Sequence, residues 1–106
     1  MPVQQHSDAT FASILAENDK VIVKFYADWC GSCKLFAPKF TRLSNDERFT
    51  GVTFLDVNAE TSPEARGLAG VDNLPFFATF RNGQRLEGMA TAKEENVVAM
   101  IERVMA

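Results

Sequence analysis

Cysteine is scarce in this chain of 106 residues: Cys30 and Cys33 are the only two. His6 is the only histidine and Trp29 the only tryptophan. A zinc site needs four ligands, so two cysteines and a lone histidine leave one chain short of a metal centre. Positive charge is not in excess. With 11 Lys+Arg against 14 Asp+Glu, the net charge is −3, which argues against a nucleic-acid partner and the basic patch it requires. No stretch approaches the roughly 20 apolar residues of a membrane span, and residues 1–10 contain no apolar signal region. The sequence is therefore expected to be cytoplasmic and not membrane-bound, with a cleaved precursor left open. In that compartment thiols stay reduced, and a cysteine pair is more often catalytic or metal-binding than structural. Internal repeats, linkers and low-complexity tracts are also missing.

What is present is a sizeable core. Hydrophobic residues make up 46% of the chain and include nine phenylalanines, enough for one core without disulfide staples. Residues 1–106 are expected to form a single domain and a monomer. Met1 to Gln5 reads as a short edge strand. Ser7 or Asp8 is placed to cap a helix with Phe11, Ile14 and Leu15 on one face, ending near Asn18-Asp19. Val21 to Ala27 is apolar on both faces except at Lys24, the pattern of a central strand covered by helices. A second helix begins at the cysteines, carries Phe36, Phe40 and Leu43, and should kink at Pro38. Val52 to Val57 reads as another buried strand. Ser62-Pro63 opens a helix that Gly70 closes. Phe76 to Phe80, Asn82-Gly83 and Leu86 to Met89 form a hairpin with a type I′ turn. Thr91-Ala92-Lys93-Glu94 has the pattern of a capping box before a last helix bearing Val97, Ile101 and Val104. The expected architecture is an α/β sandwich.

The cysteines fall where a buried strand hands over to a helix. A disulfide across so short a loop contributes only about 2 kcal/mol through chain entropy, a poor staple and a plausible switch. Cys30, at the helix N-terminus, faces unpaired backbone N–H groups and the positive end of the helix dipole. Lys34 adds a positive charge. Both favour the thiolate, the form that attacks disulfides. Cys30 is thus the expected nucleophile and Cys33 the resolving thiol.

The residues Phe25-Tyr26-Ala27-Asp28-Trp29-Cys30-Gly31-Ser32-Cys33-Lys34, then Ala37-Pro38, Val71-Asp72-Asn73-Leu74-Pro75 and Phe80-Arg81-Asn82-Gly83, carry a resemblance. The sequence resembles the thioredoxin family over essentially its whole length. The resemblance implies a thioredoxin fold, a central mixed sheet of four to five strands with helices on both faces. It implies an exposed, attacking Cys30, a more buried, resolving Cys33 and a cis bond between Leu74 and Pro75. Trp29, Gly31, Ser32, Asn73, Leu74 and Pro75 would then dock the substrate chain. The implied activity is reduction of protein disulfides, with no bound cofactor and with electrons from a flavoprotein thioredoxin reductase.

Four positions depart from the family pattern. Ser32 stands where proline is usual, which by the family trend makes the protein more oxidising. Phe76 replaces a threonine after the cis proline. Ala90 or Thr91 replaces a glycine. Lys24 replaces a buried acid, and Asp56, in the next strand, stands where members with that acid often carry lysine. We read Lys24 and Asp56 as an inverted buried pair acting on Cys33; the plainer reading is a Lys24 that snorkels to the sheet edge. Asp28 is either a surface acid or an influence on the Cys30 thiolate. Pro38 is read as structural, and His6 as a solvated tail residue without a role. Two other functions stay open from sequence: a redox-inactive adaptor that keeps the fold, and a more oxidising oxidase or isomerase.

Overall fold

The computed structural model describes residues 3–106. The elements run β1 (Gln4–His6), α1 (Asp8–Glu17), β2 (Lys20–Tyr26), α2 (Gly31–Ser44), a 3-10 turn (Glu47–Phe49), β3 (Thr53–Asn58), α3 (Pro63–Ala69), β4 (Phe76–Arg81), β5 (Gln84–Ala90) and α4 (Glu94–Met105). The five strands make one sheet in the order β1-β3-β2-β4-β5. β1 and β2 pair parallel with β3, while β4 runs antiparallel to both β2 and β5. This is the thioredoxin fold.

Alternation along β2 builds two cores. Val21, Val23 and Phe25 join Phe11 and Leu15 of α1 and Ala65 and Ala69 of α3. Ile22 joins Phe36, Phe40 and Leu43 of α2 and Val97, Met100 and Ile101 of α4 on the other face. Phe40 stacks against Phe54 and Phe77, and Phe36 meets Phe77 edge-on at 5.0 Å between centroids. Such ring pairs add to the burial of apolar area. Because β2 is covered on both faces, the turn that follows it is held at a fixed height above the sheet.

Local chemistry sets most boundaries. Ser7 is the N-cap of α1. The carboxylate of Asp8, in the first turn of α1, instead accepts from the backbone N–H groups of Glu64 and Ala65. It thereby satisfies two of the donors that the start of α3 leaves open. Gly70 ends α3 with φ of 73°, and Asn82 and Gly83 turn the hairpin with φ of 54° and 82°, as a type I′ turn requires. α2 runs unbroken through Pro38.

Three local expectations need correcting. The first strand spans Gln4–His6; Met1 and Pro2, which the reading of residues 1–5 as a strand also included, lie outside the described residues. His6 belongs to that strand rather than to a tail, because pairing with Val57 of β3 draws it into the sheet edge. Its ring nitrogens stand 2.8 Å from Thr10 Oγ1 and 3.2 Å from Gln4 Oε1. The capping box at Thr91–Glu94 does not form: Lys93 is the N-cap of α4. Glu94 is drawn to Arg42 of α2, and Thr91 Oγ1 accepts from Lys93 N and Asn96 Nδ2.

Candidate active site

β2 ends at Tyr26, and a tight turn closed by Cys30 N–H donating to Ala27 C=O (3.1 Å) delivers the chain to α2. Cys30 is the N-cap of α2, with φ of −85° and ψ of 104°. Its sulfur takes the place that a serine or aspartate oxygen usually fills at such a cap: Cys33 N–H donates to Cys30 Sγ at 3.2 Å. The two cysteines are joined as a disulfide, with Cα atoms 5.3 Å apart. Ser32 Oγ lies 3.6 Å from Cys30 Sγ. A disulfide sulfur carries no hydrogen, so here the serine hydroxyl is the donor. Two donors therefore converge on one sulfur, and both would stabilise negative charge there once the bond is reduced.

The exposed Cys30 implied by the resemblance is corrected. Cys30 is 5% exposed and Cys33 2%, so the order is as expected but both are buried. Cys30, Cys33 and Ala27 form a small cluster on which Tyr26 and Leu74 lean. Leu74 comes from the loop before β4, where the Leu74-Pro75 bond is cis. Asn73 Oδ1 accepts from Leu74 N–H at 2.9 Å, and Pro75 C=O accepts from Thr91 N–H at 3.1 Å. Of this loop, Leu74 packs against the cysteine cluster, with Asn73 and Pro75 on either side of it in the chain. Phe76, buried, points into the core against Phe25 rather than over the cysteines.

Trp29 is 67% exposed, and its indole Nε1 donates to Glu60 Oε2 at 2.7 Å. The ring is thus fixed by its polar edge while its faces stay open. Gly31 and Ser32 are exposed in the first turn of α2. Glu60 carried no signal in the sequence; it reaches Trp29 only because β3 runs beside β2.

Behind the disulfide lies a hollow of about 230 Å3, lined by Cys33, Lys24, Asp56, Tyr26, Asp28 and Lys34 among others. Lys24 and Asp56 are register partners on β2 and β3, with Nζ and Oδ1 3.4 Å apart. Lys24 is 3% exposed, so it does not snorkel to the edge. Its ammonium also sits 5.5 Å from the Phe40 ring centroid and 5.9 Å from that of Tyr26. The contact is an ion pair rather than a formed hydrogen bond, for Asp56 Oδ1 is buried without a hydrogen-bond partner. Burial pushes the Asp56 carboxyl above the usual carboxylate range, while Lys24 pulls it back down. Tyr26 is likewise held above its ordinary value, by burial first and by the carboxylates of Asp56 and Asp28. Gln5 Nε2 donates to its hydroxyl. Among the described residues no cluster of His, Cys, Asp or Glu suits a metal ion.

The Thioredoxin family model matches residues 2–103. Thioredoxin-1 of Schizosaccharomyces pombe is 37% identical over 101 residues, covering 94% of this chain and 96% of that protein. Thioredoxin 1 of Plasmodium falciparum is 31% identical over 100 residues, covering 94% of each. The crystal structure of a thioredoxin from Malassezia sympodialis superposes with a TM-score of 0.89 at 28% identity, covering 100% of this chain and 96% of that one. Members of this family use the cysteine pair itself as the redox group and carry no other cofactor. With a Cys30–Cys33 disulfide at the head of α2 and relatives matched from end to end, the chain belongs to the thioredoxin family and is a thiol–disulfide oxidoreductase that reduces protein disulfides.

Proposed function

We propose that Cys30 is the attacking sulfur and Cys33 the resolving one, in a single-domain, monomeric, cytoplasmic protein recharged by a flavoprotein thioredoxin reductase. In the reduced protein the Cys30 thiolate attacks one sulfur of a substrate disulfide. A mixed disulfide forms and the other substrate sulfur leaves as a thiolate. The Cys33 thiolate then attacks Cys30, closing the Cys30–Cys33 bond and releasing the second substrate thiolate. Two electrons pass to the substrate, and the reductase returns two to the pair. The observation that carries this assignment is the capping position of Cys30, whose sulfur receives Cys33 N–H and the Ser32 hydroxyl.

Substrate docks in this reading across the exposed faces of Trp29, the Gly31-Ser32 turn and the Asn73-Leu74-Pro75 loop. Lys24 and Asp56 serve the second half of the cycle. Lys24 is a buried cation lining the same hollow as Cys33, and a cation there favours the Cys33 thiolate at the moment it must attack. Cysteine replacement tests the order of attack. Cys30→Ser is expected to abolish insulin disulfide reduction, and Cys33→Ser to accumulate mixed disulfides with partner proteins. Faster alkylation of Cys33 than of Cys30 in the reduced protein at neutral pH would reverse the assignment.

A further inference from the structure

We propose that the first two turns of α2 and Ala92 form a second substrate subsite, which takes an apolar side chain two residues from the attacked cysteine of a protein substrate. The proposal rests on the oxidoreductase reading and adds a substrate preference to it. Leu35 is 77% exposed, more than any other large hydrophobic residue among those described. One exposed leucine needs no explanation by itself. This one walls a hollow of about 140 Å3 shared with Ser32, Phe36, Lys39 and Ala92. Ser32, Leu35, Phe36 and Lys39 are spaced as i, i+3, i+4 and i+7, so they make one face of the helix. Phe36, 2% exposed, supplies an apolar floor. Lys39 Nζ lies 5.9 Å from the Phe36 ring centroid and puts a cation on the rim.

Continuity with the redox site names the occupant. The stripe begins at Ser32, which lies between the two cysteines and touches Cys30 Sγ. Leu35 is five residues beyond Cys30, about 7.5 Å along a helix axis at 1.5 Å per residue. Two residues of an extended chain cover about 7 Å. Because Ser32 both contacts Cys30 Sγ and lines the hollow, a substrate held through its cysteine at Cys30 brings its second neighbour within reach of the hollow. The hollow is well below the roughly 300 Å3 at which pockets for drug-sized ligands begin, and suits a single side chain.

The test uses the full-length protein and pairs of short peptide disulfides, with leucine or serine two residues to either side of the cysteine. Hydroxyethyl disulfide, which has no such side chain, is the control. The leucine peptides are expected to show kcat/KM about tenfold higher than the serine peptides. Leu35→Ser, which removes the wall, and Ala92→Leu, which fills the hollow, are each expected to erase that preference while leaving hydroxyethyl disulfide reduction and the reduction potential unchanged. Both changes fall on exposed positions, so the fold tolerates them. No preference in the unmodified protein, or a preference that survives both variants, overturns the subsite and leaves the oxidoreductase reading standing. Failure to reduce both hydroxyethyl disulfide and insulin would instead overturn the oxidoreductase reading.

Discussion

Replacing Lys24 and Asp56 singly and together tests whether the pair is one unit. At the observed 3.4 Å, the Coulomb attraction is about 5 kcal/mol at an effective dielectric near 20. Desolvation of both groups offsets much of it, and Asp56, its side chain 24% exposed, keeps some contact with water. The coupling that survives is expected to be about 1–3 kcal/mol. The two single changes should not be equal. Asp56→Asn leaves a nearly buried ammonium without its charged partner, beside the Phe40 and Tyr26 rings, and should cost about 2–4 kcal/mol. Lys24→Met leaves a carboxyl whose affinity for a proton is already raised, so it can neutralise itself and the loss should be smaller. The double variant should cost less than the sum of the two. Urea melts of the oxidised protein at neutral pH measure all four forms, and equal m-values validate the comparison. Strictly additive losses would mean that the two side chains do not interact. A larger loss for Lys24→Met than for Asp56→Asn would refute the argument from protonation.

Ser32→Pro should lower the reduction potential by tens of millivolts, about 30 mV for each 1.4 kcal/mol in a two-electron couple. Ser32→Ala should give much of that change if the hydroxyl bonded to Cys30 is the cause, and none if loop rigidity is; equilibration with glutathione reads both. Lys24→Met should slow release of mixed disulfides from Cys30, seen as a lower single-turnover resolution rate; an unchanged rate removes Lys24 from the mechanism. Because the Asp56 carboxyl is raised in the folded state, its contribution to stability is complete below the unfolded value near ~3.9 and is lost as pH rises through the folded value. Lys24→Met removes the opposing pull, so the carbon-13 titration of the Asp56 carboxyl should move to higher pH, and a downward move would refute the origin given. Gly88→Ala should destabilise by about 1–3 kcal/mol, since a Cβ there meets the Phe76 ring at 2.8 Å as well as the Arg85 guanidinium; thermal melts would show it.

Much of this molecule is legible in the sequence because local chemistry decides it. Pro63, Gly70 and Asn82-Gly83 each satisfy a backbone requirement within a few residues, and the chain follows them; Ser62 holds the N-cap position of α3 without a side-chain bond, the amides there being met by Asp8 of α1. The apolar run interrupted only by Lys24 announces a strand covered on both faces. What escapes is decided at long range. At the start of α4, Glu94 pairs with Arg42 of α2 rather than with the backbone of Thr91, a long-range partner that a four-residue pattern does not report. His6 enters the sheet through pairing with β3, and Glu60 finds Trp29 across two strands. The 3-10 turn at Glu47–Phe49 has a local signal in Asp46, whose carboxylate accepts from Arg48 N–H. The burial of Cys30 depends on Leu74, more than forty residues away in the chain, and no spacing rule at the cysteines reports it.

The Asp8 carboxylate has a consequence for how the protein opens. It holds two amides of α3 from within α1, and both helices lie on the same side of the sheet. Exchange of the Glu64 and Ala65 amide hydrogens with solvent then requires α1 to lift, so the two helices should share one opening event and one protection factor. The cysteines head α2, whose apolar stripe belongs to the other core. Leu74 packs against both that first core and the cysteine cluster, so an opening of α1 and α3 that loosens Leu74 would also uncover the disulfide.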